Sequence, residues 1–326
     1  MVGVVAIADI EQAAVRLRGE AVRTPLVTNP ALDASVGAEV FIKPEILQRT
    51  GSFKFRGAYN TLASLSAAQR ANGVLAVSSG NHAQGVAAAA RIFGVPATII
   101  MPDDAPRAKL EGTRRLGARI VTYRRADEDR EAIAAALLAE TGAHFIHPYE
   151  EPLVIAGQGT IGLEIAEDLA ARALSVDAVL VPCGGGGLSS GVALALSDRL
   201  PGVALHVVEP QGFDDYGRSL RAGEILPNAA TTGSICDALL AHHAGATGFA
   251  INAGRVAGAL SVSDDEVLAA VAFAFRTLKL VVEPGGAVAL AALLSGRFKA
   301  AGQRIVIVLS GGNIDPPVLA SALAAF

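Results

Sequence analysis

Short apolar runs alternate with helical patterns along most of this chain of 326 residues. Runs rich in Val and Ile, such as RIVIVL at 304–309, are typical of strands that are buried on both faces of a parallel sheet. Because helical patterns separate the strands, the sequence predicts βαβ units and open, twisted α/β sheets. Further strands are predicted at 74–78, 97–101, 119–123, 143–146, 178–182 and 204–209.

Helices are predicted to begin near Asn81, Pro106 and Asp127, to cover 163–171, and to follow Gly187. The length corresponds to about two domains. The chain has no repeats and no linker rich in Gly and Ser, so we expect the two domains to share an extensive boundary. Ligands of such sheets bind at the carboxyl ends of the strands, where loops meet the amino ends of helices.

Composition excludes several functional classes. The 27 basic and 31 acidic residues give a net charge of −4, whereas a nucleic-acid binder normally carries a basic face. The longest uncharged stretch, 178–197, contains a proline and four consecutive glycines, unlike a membrane-spanning helix. Asp9 and Glu11 come too early for a signal peptide. Cys183 and Cys236 form no disulfide framework or metal-binding pattern, so we expect a soluble cytoplasmic protein.

Lys54 stands in a chemically informative context. It lies in the segment RTGSFKFRGA, among small and aromatic residues and just ahead of a helical pattern. A lysine kept near apolar rings and cationic Arg56 loses its proton more easily than a solvated one, which suits an amine nucleophile. The alternative is a surface lysine whose stem lies along the protein. The other lysines have no such context and are interpreted as surface residues: Lys43, Lys109, Lys279 and Lys299.

Two glycine-containing turns follow predicted strands. In SSGNHA at 78–83, Gly80 permits a sharp turn and Asn81 is predicted to cap the next helix, where exposed N–H groups suit a carboxylate. In GGGGL at 184–188, consecutive N–H groups ahead of a helix predict an anion nest for a phosphate. Ser310, after the last strand, is predicted to face the same ligand crevice. Ordinary turns without a ligand are the alternative for each segment.

These four segments, in this order, resemble the fold type II enzymes that use pyridoxal phosphate. The most similar group is the threonine/serine dehydratases, with their serine racemase and 3-hydroxyaspartate dehydratase relatives. The resemblance extends over essentially the whole chain and includes TPL at 24–26, KPE at 43–45, AGQGT at 156–160 and EP at 283–284.

The resemblance implies two open, twisted α/β domains with the cofactor in the cleft between them. Residues 1–67 and 151–326 would form a large domain, and residues 68–150 a small domain inserted in it. We also expect a homodimer. Because the chain ends soon after Asn313, we expect no C-terminal regulatory domain and no isoleucine feedback through one.

The resemblance also implies roles for individual residues. Lys54 would hold pyridoxal 5′-phosphate as a Schiff base and then remove the substrate Cα proton. Ser79 matches the serine with which racemases act on the opposite face of the cofactor, which permits racemisation without requiring it. Substrate would bind through Ser78, Asn81, His82 and Arg130. The cofactor-binding set is Phe53, Lys54, Asn81 at the ring oxygen, Gly184, Gly185, Gly186, Gly187 and Leu188 at the phosphate, and Ser310 at the pyridine nitrogen.

Further features point to individual relatives. EPQGFDD at 209–215 matches the divalent-cation site of serine racemase. Glu209, the Phe213 carbonyl and Asp215 would bind Mg²⁺ or another divalent cation, and the alternative is a solvated acidic loop. Arg130 matches an arginine that, in serine racemase, contacts the distal carboxylate of diacids. The alternative is that Arg130 forms a surface ion pair on its helix. His147 lies near the site or is a buried structural histidine.

The predicted function is therefore a dehydratase that converts L-threonine and L-serine to 2-oxobutyrate and pyruvate plus ammonia by α,β-elimination. Within the same family, the alternatives are a 3-hydroxyaspartate dehydratase and a serine racemase with side elimination. A β-replacing enzyme like the cysteine synthases is disfavoured by the GGGG loop. A non-catalytic protein that binds small molecules is the alternative from a different class.

Overall fold

The larger of the two sheets leads into the glycine turn at 184–188. The computed structural model describes residues 5–105, 107–124 and 126–326. The strands of the six-stranded sheet are β1 Val27–Thr28, β2 Glu39–Pro44, β7 Ala178–Pro182, β8 Ala204–Pro210, β9 Val256–Val262 and β10 Arg304–Leu309. Their order is β1-β2-β10-β7-β8-β9. β1 pairs antiparallel with β2, and the other pairs are parallel.

The smaller sheet leads into the glycine-containing turn at 78–83. Its strands are β3 Val74–Val77, β4 Ala97–Pro102, β5 Arg119–Tyr123 and β6 His144–Phe145, in the order β5-β4-β3-β6, with all pairs parallel. The α/β class predicted from the alternating pattern is confirmed. All four strands fall within the segment predicted to form the inserted domain, and the domain boundaries near residues 67 and 151 stay a prediction.

Helices cover both sheets. The helix expected near Pro106 begins at Arg107, Pro106 itself lying outside the described residues, and the helix expected near Asp127 begins at Arg130. The described helices are α1 Ile7–Leu17, α2 Pro30–Val36, α3 Lys54–Ser64, α4 Ala67–Ala71, α5 Asn81–Phe93, α6 Arg107–Arg115, α7 Arg130–Thr141, α8 Pro152–Ala171, α9 Gly187–Arg199, α10 Asp215–Ala222, α11 Ala246–Asn252, α12 Asp264–Phe273, α13 Pro284–Leu294 and α14 Pro316–Ala325. None of them is long and apolar enough to cross a bilayer.

Close contact between glycines fixes α3, the helix that begins with Lys54. A Cβ on Gly157 of α8 would lie 2.6 Å from the Cα of Gly57 on α3, and a Cβ on Gly191 of α9 would lie 2.6 Å from the N atom of Gly159 on α8. Side chains at these crossings would push the helices apart. The three helices therefore pack backbone against backbone, which holds the start of α3 in place.

Lys43 is not a surface residue, so that prediction is wrong. Its side chain is fully buried, and its Nζ donates to Glu164 Oε2 at 2.6 Å. Arg56 is also fully buried and pairs with Glu45 at 2.7 Å and with Glu164 at 2.7 Å. The two cations and two anions neutralise one another, because a buried charge is tolerated only with hydrogen-bonded partners.

Candidate active site

A cleft of about 1110 Å³ opens at the carboxyl ends of strands from both sheets. This is the edge where parallel α/β sheets bind ligands. The predicted cation ligands are not among the described residues that line it. The predicted catalytic, cofactor-binding and substrate-binding residues all line it: Phe53, Lys54, Ser78, Ser79, Asn81, His82, Arg130, Gly184, Gly185, Gly186, Gly187, Leu188 and Ser310.

Lys54 brings an amine into this cleft. Its Nζ donates to the Pro148 carbonyl at 2.8 Å and lies 5.1 Å from the centre of the Phe53 ring. Burial lowers the pKa of Lys54 from 10.5 to about 8, so a useful fraction of the amine is neutral near that pH. The expectation that Arg56 contributes to this shift is wrong, because its guanidinium is paired with two glutamates and burial alone accounts for the shift.

The glycine loop, residues 184–187, joins β7 to α9. Gly186 is the N-cap of α9 and has a φ of +92°. A Cβ on Gly185 would lie 2.4 Å from the Tyr149 ring, and one on Gly186 would lie 2.4 Å from the Tyr216 ring. Side chains are thus excluded, while the first N–H groups of α9 have no acceptor within the helix. The loop has the form of an anion cradle.

The turn between β3 and α5 is held by side chains. Ser78 Oγ accepts from the Gly80 N–H at 3.2 Å. Gly80 is the N-cap of α5, so the prediction that Asn81 caps this helix is wrong. The reason is that the Asn81 amide is engaged elsewhere: its Nδ2 donates to Glu283 Oε1, and its Oδ1 accepts from Asn313 Nδ2 at 2.7 Å.

Glu283 is a site residue that the sequence analysis did not assign. It lines the cleft and is 2% exposed. Burial raises its pKa to about 7, Asp237 adds to the rise, and Lys109 and Asn81 oppose it. Its Oε2 has no hydrogen-bond partner among the described residues. The signal available in the sequence was a glutamate directly before Pro284, a pair typical of a helix start.

Lys109 also lines the cleft, so its interpretation as a surface residue is wrong. It is 7% exposed, and its Nζ pairs with Asp237. Lys109 belongs to α6, beside the smaller sheet, whereas Asp237 begins a short helix that contacts α13. This ion pair spans the cleft. The sequence holds no sign of it, because the partners are 128 positions apart.

Burial favours the neutral form of two histidines in the cleft, because it lowers the pKa of each. His82 is 2% exposed, and its Nε2 bonds to the Ile146 carbonyl at 2.8 Å. Burial, and then the charge of Lys54, lower the pKa of His82 to about 3. His147 lines the cleft, where burial lowers its pKa and its Nδ1 accepts from the Glu150 N–H at 3.1 Å. Neutral His147 therefore carries its proton on Nε2.

Arg130 lies exposed at the start of α7 and lines the cleft. Its acidic neighbours have other partners: Asp127 pairs with Arg124, and Asp129 caps α7 by accepting from the Glu131 N–H at 2.8 Å. Within the described part of the chain, Arg130 forms no ion pair. The surface ion pair considered as an alternative therefore does not form among these residues.

Two of the predicted cation ligands meet at the start of α10, where Asp215 is the first residue and Glu209 contacts the first turn. Both oxygens of Glu209 accept backbone N–H groups, from Tyr216 at 2.9 Å and from Gly217 at 2.8 Å. Asp215 Oδ1 accepts from Asn228 at 2.6 Å, whereas its Oδ2 is buried without a partner. Residues 5–105, 107–124 and 126–326 contain no group of three or more His, Cys, Asp or Glu residues that could hold a metal. The Oδ2 atom of Asp215, which has no partner among the described residues, is nevertheless suited to serve as one ligand of a cation.

Comparisons with known proteins find similar sequences and structures over most of the chain. A family model described as "Pyridoxal-phosphate dependent enzyme" matches residues 17–311. L-threo-3-hydroxyaspartate ammonia-lyase from Pseudomonas sp is 46% identical over 97% of this chain and 97% of its own length. L-threonine ammonia-lyase from Thermotoga maritima is 42% identical over 94% of this chain and 75% of its own length. The structure of maize serine racemase is 36% identical, covers 99% of this chain and 98% of its own, and has a TM-score of 0.92. The resemblance to fold type II enzymes is confirmed.

Proposed function

The chain belongs to the pyridoxal-phosphate dependent enzymes, within their ammonia-lyases and racemases, and from this premise we propose that it removes the hydroxyl group and the amine from β-hydroxy-α-amino acids. One substrate molecule gives one 2-oxo acid and one ammonia. The water lost with the hydroxyl is regained when the imine product hydrolyses. L-Threonine and L-serine are the substrates expected from the sequence.

One observation carries the proposal: an amine with a lowered pKa lines the same cleft as an anion cradle and a turn at the start of a helix. Lys54 is that amine, with a pKa of about 8. The cradle is the glycine loop, where a Cβ on Gly185 or Gly186 would strike an aromatic ring. These residues fit a cofactor that joins an aldehyde to a phosphate, because an amine and an anion site are what it needs.

When bound, pyridoxal phosphate supplies an electron-withdrawing ring that makes the substrate Cα–H bond acidic. Lys54 takes the Cα proton, and the Pro148 carbonyl orients its amine. The N–H groups at the start of α5 bind the substrate carboxylate. Ser310, which lines the cleft, would offer the ring nitrogen a hydroxyl rather than a carboxylate, and a ring held in this way would be a moderate electron acceptor.

Arg130 extends the proposal to 3-hydroxyaspartate. It lines the cleft and has no acidic partner among the described residues, so its guanidinium is available to a second substrate carboxylate. The Pseudomonas relative, 46% identical, is named for that diacid. We therefore place 3-hydroxyaspartate ahead of L-threonine and L-serine. Serine racemisation, which Ser79 permits, is the remaining candidate reaction.

A substrate panel tests these assignments. We expect Arg130→Ala to lower kcat/KM for 3-hydroxyaspartate by about 10- to 100-fold, the worth of a charge-assisted hydrogen bond, and to leave kcat/KM for L-serine within about threefold. Exposed Arg114→Ala in α6 removes the same charge outside the cleft and serves as the control. The readouts are 2-oxo acid formation and chiral analysis of the serine that remains.

Each part of the proposal fails on a different result. Equal losses for both substrates in Arg130→Ala would remove the diacid assignment. D-Serine formation that disappears in Ser79→Ala, while elimination persists, would make the protein a racemase. Elimination at the wild-type rate by Lys54→Ala would overturn the proposal as a whole.

A divalent cation forms the second part of the proposal. Asp215 Oδ2, buried and without a partner among the described residues, together with Glu209 and the Phe213 carbonyl, would hold a hard cation such as Mg²⁺ through oxygen atoms. We expect calorimetry to detect Mg²⁺ binding to the wild type and none to Asp215→Asn. Equal binding by both proteins would place the ion elsewhere.

A further inference from the structure

The glycine loop touches two tyrosines from distant parts of the chain. Tyr149 lines the cleft, and its ring would lie 2.4 Å from a Cβ on Gly185. Tyr216 is fully buried and is not among the described residues that line the cleft. Its ring would lie 2.4 Å, and its hydroxyl 2.6 Å, from a Cβ on Gly186. A change at Tyr216 therefore reaches the loop without altering the cleft surface.

The Tyr216 hydroxyl belongs to a closed ring of buried contacts that returns to the loop. It accepts from Asn252 Nδ2 at 2.8 Å, and the same amide donates to Ser189 Oγ at 2.9 Å. Ser189 Oγ in turn donates to the Gly186 carbonyl at 3.1 Å. Tyr216, Asn252 and Ser189 are all 0% exposed, so water does not replace a lost partner.

The backbone of Tyr216 is fixed as well. Its N–H donates to Glu209 Oε1 at 2.9 Å, at the end of β8. The phenol ring therefore starts from an anchored backbone and ends in a hydrogen-bonded hydroxyl. The glycine loop therefore packs against a phenol ring that has little freedom to move.

Glycine chains have wide conformational freedom, and a cradle of four glycines loses much of it when it closes on an anion. A loop already held in its binding geometry avoids that loss. We propose that Tyr216 is a positioning residue that presets the glycine loop for the phosphate of the cofactor. This inference rests on the proposed function, in which the loop holds that phosphate.

Paired cofactor titrations test this role. Tyr216→Phe removes only the hydroxyl oxygen and keeps the ring against Gly186. In protein stripped of cofactor, we expect the variant to raise the Kd of pyridoxal 5′-phosphate about fivefold or more, because a buried amide loses its acceptor. The Kd of pyridoxal, which lacks the phosphate, should stay within about twofold. The control is Tyr59→Phe, a tyrosine that is 8% exposed and packs against Phe93 in a different cluster.

The outcomes separate the two proposals. Wild-type protein that binds pyridoxal as tightly as its phosphate would refute the loop as a phosphate site, and with it the proposed function. A clear wild-type preference that Tyr216→Phe leaves unchanged would refute only the positioning role. An equal rise in both Kd values would mark Tyr216 as a general structural residue. If Tyr216→Phe fails to fold, Ser189→Ala opens the same ring and should give the same pattern.

Discussion

Two turns of the same local design line the cleft. Each follows a parallel strand, contains glycine and begins a helix, one between β3 and α5 and the other between β7 and α9. The glycine loop is mostly buried, and aromatic rings pack against it. The turn from Ser78 to Asn81 is only partly buried, and it is held by a hydrogen bond that Ser78 accepts and another that Asn81 donates. The same motif is thus fixed by packing in one place and by polar side chains in the other.

This difference matches the ligands proposed for the two turns. A phosphate is always the same group, so a rigid cradle suits it. Substrate carboxylates belong to molecules of different shape, and a turn held by hydrogen bonds rather than by packed rings adapts to them more easily. Packing does not depend on pH, whereas the Asn81 amide bonds to Glu283, an acid whose pKa burial raises to about 7. We therefore expect the turns to respond differently to mutation and to pH.

The largest effect is expected from Gly186→Ala. The new Cβ would lie 2.4 Å from the Tyr216 ring at a φ of +92°. Overpacking costs about 1–3 kcal/mol, and the left-handed backbone costs about 1 kcal/mol more. We expect the affinity for pyridoxal 5′-phosphate to fall about 30-fold or more, measured by absorbance titration.

Gly202→Ala is the control that separates the effect of the contact with Tyr216 from the effect of backbone strain. Gly202 has a φ of +98°, and a Cβ there would have no atom within 4 Å. We expect it to lower the free energy of unfolding by about 1 kcal/mol and to leave cofactor affinity unchanged. Similar cofactor affinities in the two variants would mean that packing does not hold the glycine loop.

The second-largest effect is the pH dependence of stability that Glu283, the partner of Asn81, is expected to cause. Because burial raises the pKa of Glu283 from 4.5 to about 7, the folded state holds this proton more tightly than the unfolded chain. The free energy of unfolding should therefore fall as pH rises from about 4.5 to about 7. Glu283→Gln does not titrate. Relative to the wild type, it should gain about 2–3 kcal/mol of stability between pH 5 and pH 8.

Urea denaturation at the two pH values measures this change. Exposed Glu224→Gln removes the same charge from the surface and controls for net charge. Parallel curves for the wild type and Glu283→Gln would show that Glu283 does not make the turn sensitive to pH.

The smallest effect is expected from Ser78→Ala. Ser78 Oγ accepts from the Gly80 N–H at 3.2 Å, and losing one such bond costs about 1 kcal/mol. We expect KM for the amino acid to rise about fivefold, with kcat and cofactor affinity nearly unchanged, in steady-state kinetics. Ser64→Ala removes a hydroxyl that donates to the Asn60 carbonyl within α3 at 2.8 Å, and it serves as the control. A loss of cofactor affinity in Ser78→Ala would show that the two turns are not independent.

Local pattern was enough to predict much of the scaffold. The strands Ala178–Pro182 and Arg304–Leu309 have the predicted bounds, because continuous apolar runs reveal strands that are covered on both faces. β2 was missed, although it lies next to β10 in the sheet and carries Lys43. Its EVFIKP sequence mixes charged and apolar residues, and the charge is tolerated only because Glu164 neutralises it.

By itself, the sequence determined which continuous apolar runs are buried strands, where the glycine loop lies and that Lys54 is the lysine to examine. These features depend on neighbouring residues: apolar runs, missing side chains and the start of a helix. Only the tertiary structure decided which charges are buried, since Lys109 needs Asp237 and Glu283 needs Asn81, each far away in the chain. Only the tertiary structure places the Tyr216 ring in contact with Gly186. Burial and pairing depend on the folded neighbours, and no local pattern specifies those.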